Sequence, residues 1–156
     1  MNLSSTKRTS HCFGALLFSL GLAVAASAQT TYYFWQAGWE GGGVLSGTFT
    51  GADLDNDGQL TAYSQEITNF SVSLQGNSLV SDFTITNGGL WGFVFDLSGG
   101  PFLGDGLTGG VEGIGAASTE GAPIVYTTGH GPNGFNGGMI SYDGAFVMTE
   151  GMVMLS

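Results

Sequence analysis

The chain has 156 residues with 12 acids against 2 bases, a formal net charge of −10 at neutral pH. So acidic a protein offers no basic surface to nucleic acid or to anionic lipid, which excludes both as partners. A single cysteine allows no internal disulfide, and 29 glycines, far above the ordinary ~7%, require a chain that turns often.

The first 28 residues read as a secretory signal. Lys7 and Arg8 lie in a polar leader, an apolar run follows from Phe13 to Ala26, and Ala26-Ser27-Ala28 supplies the small-x-small cleavage pattern. The run is shorter than the roughly 20 residues that span a bilayer, so cleavage after Ala28 is expected, with no membrane attachment afterwards. Both bases, the only cysteine (Cys12) and His11 leave with this segment. Residues 29–156 then form a single β-domain that keeps all the acids and has no Lys or Arg. Only the N-terminal amine, His130 at low pH and bound cations can offset the acid–acid repulsion in that domain. A secreted, periplasmic or cell-surface location follows.

Helical periodicity is nearly absent from residues 29–156, while short β-type runs bounded by Gly, Asn and Asp recur. Thr31 to Ala37 is aromatic on both faces. Val44 to Thr50 alternates Leu45 and Phe49 against Ser46 and Thr48, and Ile67 to Leu74 places Phe70, Val72 and Leu74 on one face. Gln75 to Ser78 predicts a hairpin turn into Leu79 to Thr86. Asn87-Gly88 predicts a tight hairpin into Leu90 to Leu97, because both of its residues tolerate positive φ. In that run Trp91, Phe93, Phe95 and Leu97 are expected to line one buried face. A weak strand near Val111 to Ile114, Pro123 to Thr128, a hairpin over Asp143-Gly144, and Gly151 to Leu155 complete the chain. The expectation is an all-β fold, an antiparallel sandwich or flattened barrel of about seven to nine strands with Gly-rich loops.

The densest charge is Asp53-Leu54-Asp55-Asn56-Asp57-Gly58. Aspartates at every second position, followed by glycine, resemble the EF-hand and dockerin-type calcium loops, which read D-x-[DN]-x-[DN]-G. That resemblance implies Asp53, Asp55 and Asp57 as carboxylate ligands, Gly58 at the sharp turn, Gln59 as a carbonyl donor and Leu60 as an apolar anchor. The bidentate glutamate should stand at the place of Ser64, whereas the first glutamate here is Glu66, two residues late. A helical exit from the loop would rotate Glu66 away by ~200°, while an extended or bulged exit would let it turn back. The metal expected is Ca2+, bound with modest affinity. The competing reading is a solvated Asp/Asn/Gly turn.

Catalytic constellations are weak. His130 is the only histidine left after cleavage, and no G-x-S-x-G elbow or zinc-ligand set accompanies it. Asp96, Asp105, Glu112 and Glu120 lie in or near Gly-rich loops, where solvation is the bland explanation. The chain is accordingly read as non-enzymatic, with a glycosidase-like acid pair as a distant third possibility. Trp39, in the glycine-flanked loop Gly38 to Gly43, is the aromatic expected to be exposed and available to a glycan. A carbohydrate-binding module is therefore the alternative function.

The opening aromatic strand, the G-x-F-x-G-x-D-x-x-x-D-G run from Gly47 to Gly58, and Phe70-Ser71 resemble a group of short exported bacterial β-domain proteins of the PEP-CTERM-associated type. The resemblance covers mainly residues 31 to 100. The end of this chain shows no Pro-Glu-Pro, apolar span or basic cluster, so anchoring by that sorting tail is not expected. The resemblance implies fold and location, an exported β-domain; the acidic loop and the aromatics add the expectation of a surface or matrix component whose partners are calcium and either glycans or other surface proteins.

Overall fold

The computed structural model describes residues 28–104, 112–119, 123–130 and 137–156. The signal segment up to Ser27, Asp105, Val111, Glu120 and residues 131–136 lie outside the described residues, as does the His130 side chain.

Six strands form one sheet: β1 (Thr30–Gln36), β2 (Val44–Gly51), β4 (Ile67–Gln75), β5 (Phe83–Thr86), β7 (Phe102–Leu103) and β12 (Val153–Leu155). Six form another: β3 (Gln59–Thr61), β6 (Leu90–Asp96), β8 (Glu112–Ala117), β9 (Ile124–His130), β10 (Gly138–Tyr142) and β11 (Ala145–Thr149). The orders are β5-β4-β2-β1-β12-β7 and β11-β10-β9-β8-β6-β3, and every pairing is antiparallel. Neither sheet closes on itself, so the fold is a β-sandwich and not a flattened barrel. The extra strands beyond the seven to nine expected include β3 and β7, only three and two residues long. Such pieces carry too few residues to show an alternation.

Period-two patterning builds the core. Leu45 and Phe49 of β2, and Phe70, Val72 and Leu74 of β4, point inward and are buried. They meet Phe93 and Phe95 of β6 and Ile114 and Ala116 of β8 in one continuous cluster. Phe49 lies at its centre, with ring centroids 4.7 Å from Phe93 and 4.8 Å from Tyr32. Gly47 sits under Phe34: a Cβ there would collide with Phe34 Cζ and the Ser71 carbonyl oxygen, so only glycine fits.

Two local expectations fail for tertiary reasons. Asn87-Gly88 does not close a hairpin. It forms a short 3-10 turn, Asn87–Gly89, that carries the chain from β5 in the first sheet to β6 in the second. Gly89 passes so close to the Ala117 carbonyl that a Cβ would overlap it. Trp91 is not core either: it is 60% exposed. The β6–β8 register runs Leu90↔Ala116 and then Gly92↔Gly115, so Trp91 occupies a bulge and flips to the outer face. Its indole covers Gly115, where a Cβ would lie 2.6 Å from the ring. Leu97, the last residue of the expected stripe, is also exposed.

Polar groups tie the sheets together at the core. Gln36 of β1 is fully buried, and its Nε2 donates to Thr128 Oγ1 at 3.0 Å and to the Gly151 carbonyl at 2.7 Å. The Tyr126 hydroxyl donates to Gln36 Oε1 at 3.1 Å. Every polar atom of that amide is thus answered, as burial demands. Burial pushes the ionisation of Tyr126 well above the usual tyrosine range, opposed only partly by its bond to Thr128.

Candidate metal centre

The acidic loop is a crossover. β2 ends at Gly51 in the first sheet, β3 begins at Gln59 in the second, and Asp53–Gly58 spans the gap at one end of the sandwich. Its turn is set by two left-handed residues, Asn56 at φ 61° and Gly58 at φ 84°, a region that Asn and Gly occupy at little cost.

Each aspartate folds its own stretch of loop. Asp53 Oδ2 accepts the Gly58 N–H at 3.0 Å, Asp55 Oδ1 accepts the Asp57 N–H at 3.2 Å, and Asp57 Oδ1 accepts the Gln59 N–H at 2.8 Å. These are the side-chain-to-backbone turns that aspartate favours. As a result one carboxylate oxygen from each of Asp53, Asp55 and Asp57 comes within 4.8 Å of the others, a group that could hold a metal ion. Asp55 and Asp57 are exposed and Asp53 half-buried. Among the described residues, Asp53 Oδ1 is the one buried side-chain oxygen or nitrogen without a hydrogen-bond partner. At water's dielectric, like charges at this spacing repel by roughly 0.9 kcal/mol per pair, and more where solvent is displaced. Gln59 follows directly as the first residue of β3, paired with Asp96.

Glu66 does turn back, by way of the bulged exit. β3 lasts three residues, residues 62–65 form a turn, and Gln65 takes φ 59° so that the chain re-enters the first sheet. Glu66 is buried at 1% exposure, and it meets the loop's backbone: Oε1 accepts the Leu54 N–H at 2.9 Å and Oε2 accepts the Thr61 N–H at 2.8 Å. Its own carbonyl accepts the Ala52 N–H, and its N–H donates to the Thr61 carbonyl. The carboxylate thereby clamps the entry and exit of the acidic loop and stands apart from the group of three aspartates.

Glu112 repeats the device. Expected to be a solvated loop acid, it is instead 3% exposed at the start of β8. Its Oε1 accepts the Asp96 N–H at 2.7 Å and its Oε2 the Gly104 N–H at 3.1 Å, joining the end of β6 to the segment after β7 in the opposite sheet. With no Lys or Arg after residue 8, a buried carboxylate in this domain has to be satisfied by neutral donors, and both clamps use backbone N–H groups. No sequence motif marks either clamp, because each joins segments that only the fold brings together.

Trp39 is not available to a glycan. It is 4% exposed, its Nε1–H donates to the Gln36 carbonyl at 3.2 Å, and its ring packs 6.2 Å from that of Tyr126. Gly41, Gly42 and Gly43 all take positive φ and fold the loop back, where Asn77 Nδ2 holds the carbonyls of Glu40 and Gly42 at 2.7 and 2.6 Å. That fold-back drives the indole inward over Gly138. Among the described residues, the exposed aromatics are Tyr63, Trp91, Phe146, Tyr33 and Trp35. Comparison with known proteins finds no family model, no curated protein and no solved structure that matches this chain.

Proposed function

We propose that residues 29–156 form an exported, non-catalytic β-sandwich in which the Asp53–Gly58 crossover takes Ca2+ as a structural ion, the protein serving as a surface or matrix component. The observation that carries this reading is the convergence of one carboxylate oxygen from each of Asp53, Asp55 and Asp57, beside a shielded Asp53 Oδ1 without a hydrogen-bond partner, in a domain with no Lys or Arg to answer them. Calcium suits an all-oxygen, flexible site better than magnesium, which demands near-ideal octahedral geometry and gives up water reluctantly. The ion would fasten one sheet to the other at the loop, with Glu66 holding the loop's ends. Among the described residues, the two buried glutamates are both committed to backbone N–H groups, which supports a structural and not a catalytic use of these acids.

The test is thermal unfolding of the purified protein in calcium and in chelator. Saturation to 100 times the dissociation constant stabilises by about 2.7 kcal/mol, or roughly 10 °C for a domain of this size. Asp55→Ala with Asp57→Ala is expected to abolish the shift. Coincident midpoints for the unaltered protein would sink the reading.

A further inference from the structure

We infer that the outer face of the sheet containing β1 is a binding platform for a neutral polysaccharide chain. The outward positions of β1 are Thr31, Tyr33 and Trp35, of which Tyr33 is 58% and Trp35 37% exposed. Strand register continues each of the two aromatics across the sheet as a row. Towards β5, Trp35 is followed by Ser46, Ser73 and Thr84, and Tyr33 by Thr48, Ser71 and Thr86; on its other side Trp35 pairs with the exposed Met154 of β12. Each row spans roughly 14 Å across four strands, and the two rows lie about 6.8 Å apart along the strands. Tyr33, Trp35, Ser46, Thr48, Ser71 and Ser73 are among the residues that line a shallow open depression, which brings the aromatics and the short hydroxyl side chains together.

The chemistry of this face selects its occupant. In a domain rich in acids, no Asp, Glu, Lys, Arg or His stands in either row. An anionic polymer would meet the protein's net negative field with no cation to receive it. A protein partner is disfavoured as well, because serine is depleted at protein interfaces, while every position of these two rows from β2 to β5 is serine or threonine. Aromatic faces beside fixed hydroxyls match a ligand that alternates C–H surface with hydroxyl groups, as a neutral sugar does. Tyr and Trp supply rigid amphipathic area at low entropic cost, and the hydroxyls fix orientation. Those hydroxyls are already ordered: Ser73 and Thr84 bond at 2.7 Å, and Thr31 and Thr50, at the edge of the same face, at 2.8 Å. The platform is independent of the acidic crossover, so its binding is expected both in calcium and in chelator.

The experiment is affinity electrophoresis and titration calorimetry of the purified protein against xyloglucan, mixed-linkage β-glucan, galactomannan and amylose, with pull-down on microcrystalline cellulose and alginate as the anionic control. At least one neutral polysaccharide is expected to retard the protein, with little loss at high salt, and alginate is not. Tyr33→Ala and Trp35→Ala are each expected to weaken retention at least tenfold, whereas Trp91→Ala, on the opposite outer face, leaves it unchanged. Ser46→Gln, which fills the depression and spares both rings, is expected to weaken it too and decides the matter if an aromatic variant fails to fold. The inference is overturned if no neutral polysaccharide binds, if alginate binds equally, or if Ser46→Gln and the aromatic variants bind as the unaltered protein does. It is also overturned if the protein is a dimer that Trp35→Ala converts to monomer, since the face would then be an interface between copies.

Discussion

Replacing Glu66 by Gln tests the clamp that closes the acidic loop. The change keeps the shape of a side chain that is 1% exposed and removes only its charge and one acceptor. Glutamate offers an oxygen to each of two backbone N–H groups, those of Leu54 and Thr61. Glutamine can answer one of them and turns an NH2 donor toward the other, leaving a part-buried N–H facing a donor. A hydrogen bond to a charged group contributes about 1.5–3 kcal/mol, and an orphaned donor costs about 1–3 kcal/mol. The two overlap, so a net loss of about 3 kcal/mol is expected, equivalent to roughly 12 °C in Tm at about 4 °C per kcal/mol. Thermal unfolding followed by circular dichroism, in calcium and in chelator, measures it. The drop should appear in both conditions, and the calcium-induced shift should survive, because Glu66 holds backbone and stands outside the aspartate group. A drop of less than about 3 °C in chelator refutes the argument. So does a loss confined to the calcium condition, which would make Glu66 a ligand and not a clamp.

Three further outcomes are expected. Trp39→Ala should lower stability by about 3–5 kcal/mol, as for a truncated buried aromatic, whereas Trp91→Ala should change it by less than about 1 kcal/mol; chemical denaturation compares them directly. Gly47→Ala should destabilise by about 2–3 kcal/mol although alanine suits a strand better than glycine, because the new methyl meets Phe34 and the Ser71 carbonyl; a neutral or stabilising result on the same assay contradicts the packing described. Tyr126 ionises less readily in the folded than in the unfolded protein, so above pH about 10 the unfolded state sheds its proton first, and stability should fall as pH rises, while below that pH the contribution is fully present. Tyr126→Phe should flatten that alkaline decline while losing about 1–3 kcal/mol near neutrality, since Gln36 Oε1 forfeits its donor. Free energies of unfolding across the alkaline range check both statements.

Local features could be read from the residues alone. Alternation in β2 and β4 reports burial directly, since successive side chains of a strand face opposite sides, so Leu45, Phe49, Phe70, Val72 and Leu74 were legible as core. The aspartate ladder was legible too, because Asp, Asn and Gly shape a turn through bonds to residues two to five positions away. Which distant segments meet depends instead on the packing of the whole domain. Asn87-Gly88 has hairpin chemistry, yet β6 finds its partners in the other sheet, and the turn becomes a crossover. Trp39 and Trp91 exchanged their expected environments because a glycine loop folded one indole inward and a bulge turned the other outward. In the sequence Glu66 reads as a candidate calcium ligand and Glu112 as a surface acid, and the burial of both depends on N–H groups of other segments, 5 to 16 residues away in the chain. A buried charge needs partners, and where those partners stand is a property of the fold.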